Sequence, residues 1–265
     1  MTAIAVTIAG SDSGGGAGIQ ADLKTFSALG VYGASVIAAL TAQNTKGVTG
    51  IHDLPPAFVT AQMDAVFCDL AVDAVEVGML SNAATIAVVS EGLARHGQRN
   101  VVLDPVMVAT SGDRLLAPDA VENLRRLLIP KALVLTPNLA EAAALLDTAV
   151  AGDEAAMREQ GERLLAFGAR SVLMKGGHGE GAESVDLLVE PQGVTRLAGP
   201  RFDTRNTHGT GCTLSSAIAA GLAKGLALAE AVQSAKAYVT TAIGAADRLD
   251  IGSGHGPVHH FHRWW

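Results

Sequence analysis

Residues 101–138 read VVLDPVMVATSGDRLLAPDAVENLRRLLIPKALVLTPN, and this stretch decides the fold class. One short apolar run, Val101–Leu103, ends at Asp104-Pro105, and a second, Leu133–Leu135, ends at Thr136-Pro137-Asn138. Short runs that are apolar throughout are typical of strands buried on both faces. The connection between them is long enough for a helical crossover, so the stretch predicts parallel strands.

The same alternation of apolar runs and helical periods extends over the rest of the chain. Further strands are predicted at Ala5–Ala9, ending at Gly10, and at Ser35–Thr41, Ala74–Val77 and Ser171–Met174. Helices are predicted around Ile19–Leu29, from Pro55-Pro56 to about Phe67, from about Asn82 to His96, and twice near the end. Ser184–Val189 and Val194–Leu197, separated by Pro191-Gln192-Gly193, predict an antiparallel hairpin. We therefore expect residues 1–265 to form one α/β domain, with a mostly parallel central sheet and helices on both faces.

Composition and charge exclude several classes of function. Hydrophobic residues make up 49% of the 265 residues and charged residues 17%, which favours a folded core over disorder. The net charge of −7 argues against a nucleic-acid partner. Apolar runs are too short to span a membrane, and two distant cysteines predict a reducing, cytoplasmic setting.

A glycine-rich segment, Asn206-Thr207-His208-Gly209-Thr210-Gly211-Cys212, stands before a predicted helix. Its glycines allow successive N–H groups to point at one spot, and the helix N-terminus adds partial positive charge there. Such a site suits a phosphoryl group in transfer. The same residues also fit an ordinary glycine-rich turn before a helix.

Charged and amide side chains follow the predicted strands. Asn138 and Glu141 lie three residues apart in a first helical turn, and with Asp104 they offer oxygen ligands for Mg²⁺. The pair also fits a helix cap with a first-turn acid. Lys175 comes directly after a strand, where its ammonium group can bind nucleotide phosphates. The residue also fits an ordinary charged side chain at the point where the chain leaves the sheet.

Two familiar phosphate cradles are excluded. Residues 11–18, SDSGGGAG, fit no G-x-G-x-x-G register, and no Gly-Lys pair supports a Walker A loop.

His259, His260 and His262 lack the spacing of a preformed metal site. Packing or a subunit contact, with Phe261, Trp264 and Trp265, is the favoured interpretation of that tail.

The motifs in combination resemble a known family. GSDSGGGAGIQADLKTF, TAQNT, VGML, VLDPVM, TPNLAEA, LMKGGH, NTHGTGC and GPVHHFH occur in one order from about Ile4 to the C-terminus. They resemble the hydroxymethylpyrimidine/phosphomethylpyrimidine kinases of thiamine biosynthesis, in the ribokinase-like superfamily. The resemblance implies a three-layer sandwich, often a homodimer. It also implies two ATP-dependent phosphorylations of 4-amino-5-hydroxymethyl-2-methylpyrimidine, first to the monophosphate and then to the diphosphate.

The resemblance also implies roles for individual residues. Gln43 is expected to bind the pyrimidine, because its amide matches an aminopyrimidine edge. The pocket wall is expected to include Gly10, Ala17, Asp22, Met79 and Val106. Lys175, Asn138 and Thr207 are expected to contact ATP, Asp104 and Glu141 to bind Mg²⁺, and Gly209, Thr210, Gly211 and Cys212 to form an anion hole.

Cys212 stands where many ribokinase-like sugar kinases have an aspartate. A thiol of ordinary pKa is a poor base, although a helix N-terminus can lower that pKa and favour a thiolate. Pyridoxine or pyridoxal kinase is the nearest alternative, alone or as a second activity. Gln43, Met79 and GPVHHFH favour the pyrimidine. A non-catalytic sensor is disfavoured, because it has no need of Asp104, Glu141, Lys175 and the glycine segment together.

Overall fold

A nine-stranded sheet forms the centre of the molecule. The computed structural model describes residues 1–109, 112–113, 115–117, 119–177 and 183–265. Its strands are β1 Ile4–Asp12, β2 Tyr32–Asn44, β3 Gly47–Asp53, β4 Ala74–Val77, β5 Val101–Leu103, β6 Val134–Leu135, β7 Val172–Lys175, β8 Glu183–Glu190 and β9 Gly193–Pro200. The order across the sheet is β3-β2-β1-β4-β5-β6-β7-β8-β9.

The central strands run parallel and the two edges antiparallel. β2, β1, β4, β5, β6 and β7 pair in parallel. β3 pairs antiparallel with β2, and β7, β8 and β9 form antiparallel pairs in succession. The mostly parallel sheet and the predicted hairpin are confirmed.

Helices cover both faces of the sheet. They are α1 Gly18–Ala28, α2 Pro56–Phe67, α3 Ala83–Arg95, α4 Ala120–Asn123, α5 Leu139–Leu146, α6 Glu154–Leu165, α7 Thr210–Ala223 and α8 Leu228–Gly244. After α4 the chain continues through a π-helical turn, Leu124–Leu128, and a 3₁₀ turn, Ile129–Lys131.

Alternate strand residues supply the two hydrophobic cores. Val101 and Leu103 of β5 join the core that contains α2, α3, α5 and α6. Val102, between them, joins the core built with α1, α7 and α8. A strand turns successive side chains to opposite faces, so a continuous apolar run fits a sheet covered on both sides. The three-layer architecture is thereby confirmed.

Two strand predictions need correction. β1 continues past Gly10 to Asp12, because a register shift after Ala9 lets Gly10–Asp12 pair with Ala39–Thr41. β3 was not predicted: most of its residues are exposed, and two glycines interrupt any apolar alternation. Both corrections bear on the site, because they extend the sheet around the segments that carry Asp12 and Gln43.

Candidate active site

A largely buried cation lies between two acids at the carboxyl ends of three neighbouring strands. Asp104 directly follows β5, Lys175 ends β7, and Glu141 lies in the first turn of α5 after β6. Lys175 Nζ is 2.7 Å from Asp104 Oδ1 and 3.9 Å from Glu141 Oε2. Thr136 Oγ1 donates to the same Asp104 oxygen at 3.1 Å. The parallel topology thus gathers residues that are far apart in sequence.

The charges of this cluster depend on one another. Burial lowers the pKa of the Lys175 ammonium, but the charges of Asp104 and Glu141 outweigh burial and raise it above its ordinary value. Burial raises the pKa of Glu141 to about 7, against the opposing charge of Lys175. Lys175 is therefore a permanent cation, and its charge opposes the protonation of Glu141 that burial favours.

Asn138 and Glu141 form a reciprocal helix cap. Glu141 N donates to Asn138 Oδ1 at 2.9 Å, and Asn138 N donates to Glu141 Oε2 at 2.8 Å. The capping interpretation is thus confirmed, and the cap also fixes the carboxyl group of Glu141 beside Lys175. The predicted contact of Asn138 with ATP stays a prediction.

The segment of residues 206–212, here called the anion-hole loop, leads into α7 beside the cation. Gly209 has φ +78°, and the helix begins at Thr210. The Thr210 hydroxyl donates to the Thr207 carbonyl at 2.7 Å, which tightens the turn. A methyl group placed on Gly211 would lie 3.3 Å from both Lys175 Nζ and Asp104 Oδ2. The free N–H groups of the first turn of α7 therefore open beside the Lys175 ammonium.

The surroundings of Cys212 favour a neutral thiol. Burial, followed by the negative charges of Asp22, Asp104 and Glu76, raises its pKa well above the ordinary value. The helix N-terminus does not outweigh these effects, so of the two states that the sequence leaves open, the raised pKa favours the neutral thiol.

Most residues predicted to line the acceptor pocket lie on the β1 side of this centre. Met79 packs against Gly10, where a side-chain carbon would lie 3.0 Å from its sulfur. Ala17 caps the start of α1, and Val106 lines a small cavity beside Asp104. Gln43, near the end of β2, is held by Ser13, whose hydroxyl accepts from Gln43 N at 2.9 Å. Their contacts with a substrate stay predictions.

Asp22 lies beneath this pocket and belongs to an acid pair that the sequence analysis missed. Asp22 and Glu76 are each 1% exposed. Thr7 Oγ1 lies 2.7 Å from Asp22 Oδ2 and 3.0 Å from Glu76 Oε2. Ser216 and Ser215 donate to the remaining oxygens, at 2.6 and 2.9 Å.

The pair must hold a proton of its own. The single hydroxyl proton of Thr7 serves one carboxyl group, so a hydrogen bond to the other needs a proton on that carboxyl. Burial raises the pKa of Asp22 to about 7 and raises the pKa of Glu76 well above its ordinary value. A charged residue inside the apolar run Ala74–Val77 was the available signal.

The C-terminal histidines pack in the interior. His260 Nε2 lies 3.0 Å from Thr213 Oγ1, and the His260 carbonyl accepts from Tyr238 Oη at 2.6 Å. Burial lowers the pKa of His260 to about 3, so the ring is neutral. Among the described residues no three acidic, histidine or cysteine side chains group as a metal site. The packing interpretation holds for His259 and His260, which are 2% and 5% exposed, whereas Trp264 and Trp265 are exposed.

The fold and the site define a ribokinase-like kinase of small molecules. The family described as phosphomethylpyrimidine kinase matches residues 12–259, and the chain belongs to that family. A hydroxymethylpyrimidine/phosphomethylpyrimidine kinase from Rhizobium meliloti (strain 1021) is 65% identical over 100% of this chain and 99% of its own.

Solved structures include kinases of two substrate classes. A phosphomethylpyrimidine kinase from Clostridium difficile 630 superposes with a TM-score of 0.80 at 46% identity, over 91% of this chain and 99% of its own. An ADP complex of Bacillus subtilis pyridoxal kinase superposes with a TM-score of 0.92 at 35% identity, over 100% of both chains.

Within the described residues, no helix combines the length and apolar character needed to cross a bilayer.

Proposed function

We propose that this enzyme transfers the γ-phosphoryl group of ATP to 4-amino-5-hydroxymethyl-2-methylpyrimidine, and then phosphorylates the monophosphate to the diphosphate, in thiamine biosynthesis. The observation that carries the proposal is the Lys175 ammonium, whose side chain is 13% exposed, 2.7 Å from Asp104 and next to the first turn of α7. Family membership supplies the substrate class. We propose that residues 1–265 act as one kinase domain.

The N-terminus of α7 and Lys175 receive the transferring group. Phosphoryl transfer needs positioning and electrostatic stabilisation more than covalent help. N–H groups of Gly211 and Cys212 supply partial positive charge, and Lys175 supplies a full one. Both act on charge that is common to the two steps, because the donor is ATP in each.

Asp104 and Glu141 fit Mg²⁺ bound together with a nucleotide. Mg²⁺ takes oxygen ligands and is usually held by one or two carboxylates, with phosphates and waters completing its shell. Two carboxyl groups with one ammonium between them provide that donor set. The ion, when bound, neutralises charge on the nucleotide phosphates, while Lys175 limits the repulsion between the two acids.

Gln43 is suited to read the amino group of the pyrimidine. Thr41 Oγ1 lies 3.0 Å from the Ser11 carbonyl oxygen and 2.9 Å from Gln43 Oε1, but its single proton can serve only one of them. Rotating the Gln43 side-chain amide by 180° interchanges its oxygen and nitrogen. In the exchanged orientation Gln43 donates to Thr41, Thr41 donates to Ser11, and the Gln43 oxygen is left to accept from an amino substituent.

Pyridoxal is the competing substrate, because the pyridoxal kinase structure superposes over the full chain. We expect kcat/KM for the aminopyrimidine to exceed that for pyridoxal by at least about tenfold, which needs only about 1.4 kcal/mol of differential transition-state binding. A coupled assay of ADP formation with each substrate tests this. Equal preference would give the enzyme a second activity in vitamin B6 salvage, and reversed preference would make that its main activity. If neither substrate led to ADP formation, the non-catalytic sensor would be favoured.

The same proposal includes a cytoplasmic homodimer. Free Cys68 and Cys212 suit a reducing compartment. β3 offers an exposed edge, and such edges are commonly covered by pairing. Light scattering on the purified protein tests the dimer, and a monomer at micromolar concentration would exclude it.

A further inference from the structure

One buried carboxylate, that of Asp12, organises the loop that follows β1. Asp12 Oδ1 accepts from Gly14 N at 2.8 Å, and Oδ2 accepts from Gly16 N at 3.0 Å and Ala17 N at 2.9 Å. Residues 13–17, here called the glycine loop, therefore wrap around this side chain. Asp12 is only 3% exposed.

The same carboxylate reaches across to the anion-hole loop. His208 Nε2 lies 2.9 Å from Asp12 Oδ2, although the residues are 196 positions apart. Burial alone would raise the pKa of Asp12, but hydrogen bonds from His208, Ala17 and Gly14 hold it below the ordinary value. Asp12 is thus an anion that only accepts, so His208 Nε2 carries a proton and donates it.

The two loops also meet backbone to backbone. A side-chain carbon on Gly209 would lie 1.9 Å from the Gly16 carbonyl oxygen, and one on Gly16 would lie 2.3 Å from the His208 ring. No larger residue fits either position without moving a loop. The separation of the loops is therefore set by direct contact.

The C-terminal segment fixes His208 from behind. His208 N donates to the Gly256 carbonyl at 3.0 Å, and Val258 N donates to the His208 carbonyl at 3.3 Å. With its main chain held on both sides, His208 directs its ring at Asp12. The GPVHHFH motif thus has a structural task beside the site, in addition to its packing.

We propose that Asp12 and His208 are positioning residues that hold the acceptor pocket at a fixed distance from the anion hole. The inference rests on the proposed function, because Gly10 and Ala17 border the expected pyrimidine pocket while Gly209–Cys212 receive the phosphoryl group. In-line transfer tolerates little error, and a displacement of about 1 Å can cost about 10²-fold in rate. Neither residue need touch a substrate for this effect.

Substitutions of His208 separate positioning from folding. Gln carries its amide nitrogen about as far from the backbone as Nε2, whereas the shorter Asn does not reach Asp12. We expect His208→Asn to lower kcat of the first step by about 10²-fold with KM for ATP changed less than about threefold. We expect His208→Gln to restore most of kcat.

The decisive readout is the yield of phosphopyrimidine per ADP formed. Misaligned loops let water compete for the phosphoryl group, so the yield should fall in His208→Asn and Asp12→Asn. A folding defect lowers the formation of ADP and of phosphopyrimidine by the same factor, so the yield per ADP stays unchanged. Binding of a non-hydrolysable ATP analogue gives the active fraction, so a partly unfolded variant is still informative.

A surface pair provides the matched control. His96 Nε2 lies 2.7 Å from Asp64 Oδ1, and Asp64 is well exposed, away from the site. His96→Asn should leave kcat and the yield unchanged. The inference would be overturned if His208→Asn kept the kcat and the yield of the wild type. It would also be overturned if His208→Gln had a kcat no higher than that of His208→Asn. An inactive wild-type enzyme would instead overturn the proposed function.

Discussion

The buried acid pair predicts an unusual dependence of stability on pH. Asp22 and Glu76 share the hydroxyl group of Thr7, and the native state must hold a proton there. The unfolded chain gives that proton up above about pH 4 to 5, where ordinary carboxyl groups ionise. Because the folded pKa values are raised, the contribution to stability is complete below that range. It is lost as pH rises through the folded value, which is about 7 for Asp22.

The size of the effect follows from proton linkage. A proton bound by the native state and not by the unfolded state lowers the free energy of unfolding by about 1.4 kcal/mol per pH unit. Between about pH 6 and about pH 8 the loss is about 1.4 kcal/mol if the proton leaves near pH 7, and about 3 kcal/mol if Glu76, whose pKa is also raised well above its ordinary value, keeps the proton throughout. That is a large part of the stability of an ordinary domain.

Glu76→Gln removes this proton and keeps the contacts. The amide nitrogen donates to Thr7, Thr7 donates to Asp22, and the amide oxygen accepts from Ser215, which now donates to Glu76 at 2.9 Å. One amide N–H is left without an evident partner, at a cost of about 1 kcal/mol that does not vary with pH. As pH rises, the free energy of unfolding of the variant should therefore fall by about 1.4 kcal/mol less per pH unit than that of the wild type.

Urea unfolding at about pH 6, 7 and 8 measures the difference. Other titrating groups contribute equally to both proteins and cancel in the comparison. Glu91→Gln, on the exposed face of α3, is the control and should follow the wild type. If wild type and Glu76→Gln show parallel stability against pH, the pair holds no proton and the reasoning fails.

Three further substitutions test the catalytic centre. Lys175→Ala should lower kcat of both phosphorylations, because the cation acts on charge common to both; loss confined to one step would place Lys175 at the acceptor. Asp104→Asn should raise the Mg²⁺ concentration needed for half-maximal rate, and an unchanged metal dependence would remove Asp104 from the metal site. Cys212→Asp should harm kcat/KM for the monophosphate more than for the alcohol. An aspartate about 4 Å from an anionic acceptor costs about 4 kcal/mol per unit charge at an effective dielectric near 20. Equal damage to both steps would refute that argument, and the neutral Cys212→Ser should retain both.

Much of the fold was predictable because buried parallel strands leave a strong local signal. Val101–Leu103 is an apolar run of strand length and Ala74–Val77 is apolar except for Glu76, and the structure places a strand at each. β3 left no such signal, since an exposed edge strand needs no apolar face. The end of β1 was misjudged because the register shift after Ala9 depends on the neighbouring strand.

The site was predictable where chemistry coincides with a strand end. Asp104 and Lys175 follow apolar runs, so parallel pairing alone brings them to one edge. The bond between Asp12 and His208 has no local pattern, because it joins segments 196 residues apart. The state of Cys212 could not be predicted from the sequence for a related reason: burial and nearby acids raise its pKa, and neither is visible in the glycine segment itself.

A time course of products from one reaction tests the central claim most directly. Purified protein is mixed with ATP, Mg²⁺ and 4-amino-5-hydroxymethyl-2-methylpyrimidine, and the pyrimidine species are separated by chromatography. We expect the monophosphate to appear first and then to be converted to the diphosphate, with one ADP formed at each step. A reaction that forms no phosphopyrimidine, or that stops at the monophosphate with ATP still present, would contradict the account.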